Sequence, residues 1–169
     1  MGLDKIRQEI DEVDTQMKAL FLKRMELAYQ VVEAKKQTGG AVYVPEREQA
    51  IITARSSDVE QELLPEYQSF IKQLMGISRT YQYSKLIDQT EKLKDLPKGM
   101  GEVTLEFAYS AKTDHFAVCL NAVSLAGLTV KEIMIEEKEN KPICRLCLSG
   151  DFSNETAKAA VLLIVEENV

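Results

Sequence analysis

The chain has no tryptophan, a single histidine, three cysteines and four prolines among its 169 residues, and each scarcity removes a class of function. Zinc and redox sites need clustered ligands, yet Cys144-Arg-Leu-Cys147 is a lone CxxC, Cys119 stands apart and His115 has no second histidine. In an extended segment residues three apart point to opposite faces, so Cys144 and Cys147 read as structural thiols, and the odd count argues for the reduced state. His115 also lacks a Ser or Cys spaced to suggest a relay, and reads as a packing or surface residue. No metal and no cofactor is expected.

Other absences set the compartment and the partners. No run of 18 or more apolar residues is present, and MGLDKIRQ lacks the apolar core of a signal peptide, so the expectation is a cytoplasmic protein with no membrane partner. A net charge of −6 argues against non-specific nucleic-acid binding while leaving room for local cationic pockets that take a small anion. With 45% hydrophobic and 28% charged residues, the chain suffices for one ordinary domain or two small ones.

What dominates the sequence is Leu3 to about Lys36, which has no internal Gly or Pro. As a helix it would be roughly 50 Å long, longer than a small domain is wide. Ile6, Ile10, Val13, Met17, Leu20, Leu27 and Val31 recur at steps of three, four and seven, the mark of one buried stripe, so the helix needs a partner. Arg24 and Lys35 are eleven residues apart, which at about 100° per residue returns nearly to the same face; Arg7 sits about 100° round from Arg24. Arg24 and Lys35 can therefore look into one pocket, and Arg7 more naturally serves another.

Gly39-Gly40 ends this helix, and Pro45 with Glu46 and Glu48 behind it starts a second, which fades at Ser56-Ser57-Asp58. A third runs from Leu64-Pro65-Glu66 towards Leu86. Glu91 to Glu102, with Pro97, Gly99 and Gly101, reads as a linker. Beyond it the order is βαββα: a strand at 103–110, a helix at 115–126, strands at 128–136 and 143–148 around Glu139-Asn140-Lys141, and a helix at 155–166. The expected organisation is an all-α domain at 1–90, a linker at 91–101 and a small α+β domain at 102–169. One more strand would complete the βαββαβ unit, giving βαββα(β); either LLIVEEN is extended, or a sheet edge stays open or is covered by another subunit.

Charges on long helices are usually a solvated face. Arg24 fits that account poorly because it lies near the seam of Met17, Leu20, Leu27 and Val31, whereas Lys35 and Lys36 could simply complement a helix dipole. Tyr81 and Tyr83 read as core and rim.

Taken together, the IRQEID start, Asp14, the LFLKRMEL segment with Arg24, Ala34-Lys35, PEREQ with Arg47 and Glu48, and Ser78-x-x-x-Gln82 resemble the all-α class of chorismate mutase over roughly residues 3–88. The resemblance implies an intertwined homodimer whose first helices pair along their length, each site borrowing the partner subunit's Arg7. It implies that Arg24 and that Arg7 hold the two carboxylates of chorismate, since guanidinium forks suit carboxylates. Lys35 and Gln82 would donate to the breaking ether oxygen, Glu48 would accept from the ring hydroxyl, Ser78 would support a carboxylate and Arg47 would line the pocket. Where some members carry Asp, this chain has Val44, so only a backbone group could act from there. The implied rearrangement to prephenate serves aromatic amino-acid biosynthesis.

The second half resembles an ACT regulatory domain through GLTVKEIMIEE and KPICRLCLSGDF, which implies an amino-acid effector as a candidate ligand. Ala111-Lys-Thr-Asp-His115 replaces that domain's Gly-rich helix entry, and IEEKE its Glu-Ser-Arg-Pro signature, so the fold is expected more than aromatic feedback. Two other readings compete: an isochorismate pyruvate lyase on the same helical fold, and a non-catalytic regulatory or interaction subunit of a shikimate-pathway enzyme.

Overall fold

A computed structural model describes residues 2–109 and 115–167. Its elements in order are α1 (Leu3–Thr38), α2 (Pro45–Ser56), α3 (Leu64–Ser84), a 3-10 turn (Ile87–Gln89), β1 (Met100–Ala108), α4 (His115–Leu125), β2 (Thr129–Lys138), β3 (Lys141–Asp151) and α5 (Glu155–Glu166). The expected helical first part and α+β second part are both present. The chain divides into two compact units, Met1–Gly40 and Ala41–Val169.

The first unit is essentially α1, whose 36 residues span roughly 54 Å. It stops where Gly39 adopts φ 72°, a left-handed conformation that suits glycine, and donates its N–H to the Lys35 carbonyl at 2.8 Å. Asp4 near one end and Lys35 and Lys36 near the other complement the helix dipole. Leu3, Ile6, Ile10, Val13, Met17, Leu20, Leu27 and Val31 are all exposed, Leu20 at 71%. A stripe with that periodicity and that exposure is an unsatisfied apolar face.

In the second unit β3 lies between β1 and β2, both antiparallel to it. Register places Leu105 and Ile133 beside Leu146, and Phe107 and Ile135 beside Cys144. This is the face on which Cys144, Leu146 and Leu148 are fully buried. Cys147, three residues from Cys144, is only half-buried, as alternation along a strand requires. Glu139 and Asn140 join β2 and β3 with φ of 53° and 61°, the two positive values a tight type I′ hairpin demands.

α4 and α5 complete the core with Val118, Cys119, Ala122 and Val123 from one helix and Ala157, Ala160, Val161, Leu163 and Ile164 from the other. Asn154 caps α5 by accepting the Ala157 N–H at 2.7 Å. α5 stays helical to Glu166, so the alternative of an extended LLIVEEN is corrected: seven of the helix's residues are buried in a 3.6-residue environment that a strand could not satisfy. Among the described residues β1 and β2 are the sheet edges.

α3 packs on both α4 and α5 as well as on α2. Its Gly76 permits this: a β-carbon there would sit 2.6 Å from a Val118 methyl. Leu93 and Leu96, in the stretch expected to have little to bury, also pack against the core. Among the described residues no helix is long and apolar enough to cross a membrane.

Candidate active site

Within α1, Arg7 is exposed and pairs with Asp4 at 3.5 Å, a solvent-facing contact of little energetic weight. Arg24 and Lys35 are both half-buried. Lys36, one residue on, is held by Glu33 at 2.7 Å.

In the second unit, Val44 is the N-cap of α2, extended at φ −132°, and its carbonyl accepts the Glu48 N–H at 3.1 Å. Its side chain stays exposed, which leaves the backbone as its only polar offering. Arg47 is exposed and Glu48 half-buried. Ser78 and Gln82, one helical turn apart on α3, are both buried, and the Ser78 hydroxyl donates to the Leu74 carbonyl at 3.0 Å. Gln82 Oε1 has no hydrogen-bond partner among the described residues. An unmade bond at a buried amide oxygen costs about 1 to 3 kcal/mol, a cost that persists where another requirement fixes the side chain.

The most concentrated chemistry surrounds a residue that sequence reasoning passed over. Arg79 is 3% exposed. Its Nη1 binds both carboxylate oxygens of Glu48 on α2, and its Nε donates to Glu167 Oε1 at 2.7 Å. The guanidinium lies over the Tyr43 ring, 4.6 Å from its centroid, and Tyr43 stacks in turn on His115 at 5.6 Å. His115 Nδ1 is 3.8 Å from Glu167 Oε2, and its Nε2 is 3.6 Å from Cys119 Sγ.

One buried guanidinium thus serves two carboxylates, and the protonation equilibria follow. Burial pushes the Glu167 carboxyl up to about 7; Arg79 pulls it down, and Glu48 adds to the rise. Burial also lowers His115, assisted by the Arg79 charge, so the imidazole is held neutral. Burial raises the Cys119 thiol to about 12, which removes it as a nucleophile. Burial lifts the Tyr83 phenol, with Glu167 adding to the effect.

A cavity of about 590 Å³ adjoins this cluster, lined by Tyr43, Glu48, Ile52, Lys72, Arg79 and His115 among others. Of the sequence-predicted residues in this unit, Glu48 reaches it; Ser78, Gln82, Val44 and Arg47 do not line it. The missed residue had a signal. Arg79 falls in the apolar stripe of Met75, Gly76 and Tyr83, where a lone cation demands a buried partner.

The chorismate mutase type II family model matches residues 6–83. Among curated proteins, the T-protein of Haemophilus influenzae is 44% identical over 60 residues, 36% of this chain and 16% of that protein. The T-protein of Enterobacter agglomerans is 40% identical over 58 residues, 34% of this chain and 16% of that one. The chain thus matches about a sixth of the length of these relatives. No solved structure matches it. The resemblance of the helical region to chorismate mutase is therefore borne out; the likeness of the second half to an ACT domain has no counterpart in these matches.

Proposed function

We propose, on the premise that residues 6–83 form a chorismate mutase type II region, that this protein rearranges chorismate to prephenate. One observation carries the reading: the matched span begins one residue before Arg7 and ends one after Gln82, so it holds every residue assigned to the site. The reaction is an intramolecular Claisen rearrangement. It needs the enolpyruvyl group held over the ring in a compact conformer and negative charge stabilised on the breaking ether oxygen.

In this reading Arg24 and the partner subunit's Arg7 clamp the two carboxylates, with Ser78 and Arg47 in support. Lys35 and Gln82 donate to the ether oxygen, which is more negative in the transition state than in the substrate, so their stabilisation is differential. Glu48 accepts from the ring hydroxyl and the Val44 backbone borders it.

The functional units are a helical domain at 1–90, a linker at 91–101 and an ACT-like domain at 102–169. The apolar stripe of α1 pairs with the same stripe of a second copy, which completes two shared sites. An amino acid is the effector class that the second domain would take.

Purified protein mixed with chorismate or isochorismate tests the activity. Conversion of chorismate to prephenate is expected, and Lys35→Ala should lower kcat by about 10² to 10³, or about 2.7 to 4 kcal/mol. Pyruvate release from isochorismate would identify a lyase instead, and turnover indifferent to Lys35→Ala and Arg24→Ala would sink the site. Mixing an Arg7→Ala chain with a Lys35→Ala chain should restore part of the activity, because one site of the heterodimer keeps both groups; no recovery despite subunit exchange would reject sharing.

A further inference from the structure

Glu48 does not enter the cavity as a free side chain. It stands in the first turn of α2, where a glutamate normally samples many rotamers. Arg79 removes that freedom: Nη1 grips both carboxylate oxygens, while Nε is tied to Glu167 and Tyr43 closes one face of the guanidinium. Arg79 cannot swing away, because its side chain is 4% exposed and its second anchor, Glu167, is 0% exposed.

The grip leaves Glu48 capacity to act. An ionised carboxylate has about four lone-pair positions, and one Arg nitrogen does not saturate them. The Glu48 side chain keeps 21% of its surface open and lines the 590 Å³ cavity. Arg79 borders the same cavity, but its side chain is only 4% exposed and its Nε and Nη1 are committed to Glu167 and Glu48, so its route to a ligand runs through Glu48.

We propose that Arg79 is a positioning residue: anchored by Glu167 at the end of α5, it aims the Glu48 carboxylate at the substrate's ring hydroxyl. The α+β region thereby enters the reaction through the chain Glu167–Arg79–Glu48, drawn from the C-cap of α5, from α3 and from α2. This inference rests on the mutase reading for the role of Glu48. It requires Arg79 to lose its effect when Glu48 can no longer be aimed.

A double-mutant cycle on chorismate turnover tests it. Arg79→Lys keeps the buried charge but loses the planar fork, and should lower kcat/KM about tenfold in the wild-type background. In the Glu48→Gln background the same change should cost less than about twofold, because the carboxylate it aims is gone. Glu167→Gln, nearly isosteric and leaving Arg79 its Glu48 counter-charge, forms a second cycle, with unfolding of the double variant measured alongside, and decides the matter if Arg79→Lys fails to fold. It should lower kcat/KM about threefold with Glu48 present and leave it unchanged with Gln at position 48. Independent, multiplicative losses in both cycles would overturn the positioning role and leave the mutase reading standing. A gain in kcat/KM on loosening Arg79 would also overturn it, since Arg79 would then be restraining Glu48 from the substrate. A folded wild type without mutase turnover would instead remove the reading on which both rest.

Discussion

α1 and the region from Ala41 to Val169 use charge in opposite ways. On α1 the cations lie beside an exposed apolar stripe, and three of them form local ion pairs: Arg7 with Asp4, Lys23 with Glu26, Lys36 with Glu33, all three residues apart. In the second unit Arg79 is sealed inside and joins Glu48 to Glu167 across 31 and 88 residues of sequence. Local pairs in water add little, so Arg7 can serve a ligand without weakening α1. A buried guanidinium with two carboxylates belongs to the structure, because removing the guanidinium strands both carboxylates.

The sharpest way to break this contrast is to delete the buried cation. Arg79→Met, measured at about pH 8 where Glu167 is ionised in the wild type, leaves the Glu48 and Glu167 carboxylates without a counter-charge or forces a proton onto Glu167. The expected loss is about 3 to 5 kcal/mol in urea unfolding, a large share of an ordinary domain's stability. A loss below about 1 kcal/mol would place Arg79 with the surface cations and dissolve the distinction.

A smaller effect follows from protonation. Glu167 titrates at about 7 in the folded chain against an ordinary 4.5, so between these values the folded state holds the extra proton. Its contribution to stability is complete below about pH 4.5 and is lost as pH rises through about 7. His115, held low by burial and Arg79, has the opposite sign: its contribution grows as pH rises through its unfolded value near 6.5. Comparing wild type with Glu167→Gln isolates the carboxyl. Between about pH 6 and pH 8 the wild type should lose about 1.4 kcal/mol relative to that variant, one pKa unit's worth. Parallel stability curves would show that Glu167 stays ionised and that the cluster binds it as a simple ion pair.

The same contrast decides what can be read from sequence. α1 was legible almost to its last residue, because a stripe at helical spacing, ended by Gly39-Gly40, is a local pattern. The hairpin at Glu139-Asn140 and the helix starts at Pro45 and Leu64 are local too. The helical course of α5 through Leu162 and Ile164 was harder to fix, since a short apolar run suits a strand as well as a buried helix until its surroundings are known. Arg79 itself could be suspected as a lone cation in an apolar stripe, but the partners in its cluster were not legible. Its members come from separate elements, and no spacing rule links position 79 to position 167. Glu48 was named for a substrate hydroxyl, and the Arg79 that holds it sits inside the very SRTYQ segment that supplied Ser78 and Gln82. Motif reading selected the polar residues on one edge of α3 and passed over the cation beside them.

The smallest expected stability effect tests the other side of the contrast. Arg7→Ala removes a 3.5 Å contact between side chains that are 65% and 95% exposed, so thermal or urea unfolding of the chain should move by less than about 0.5 kcal/mol. Its charge is exposed and nothing buried depends on it within α1. If the partner subunit's Arg7 completes each site, mutase turnover should nevertheless collapse while stability holds, and adding Lys35→Ala chains should bring part of it back. An unfolding shift of 2 kcal/mol or more would mean that Arg7 is structural in the assembled protein. The cations of α1 would then resemble Arg79 after all, with their buried partners supplied by a second copy.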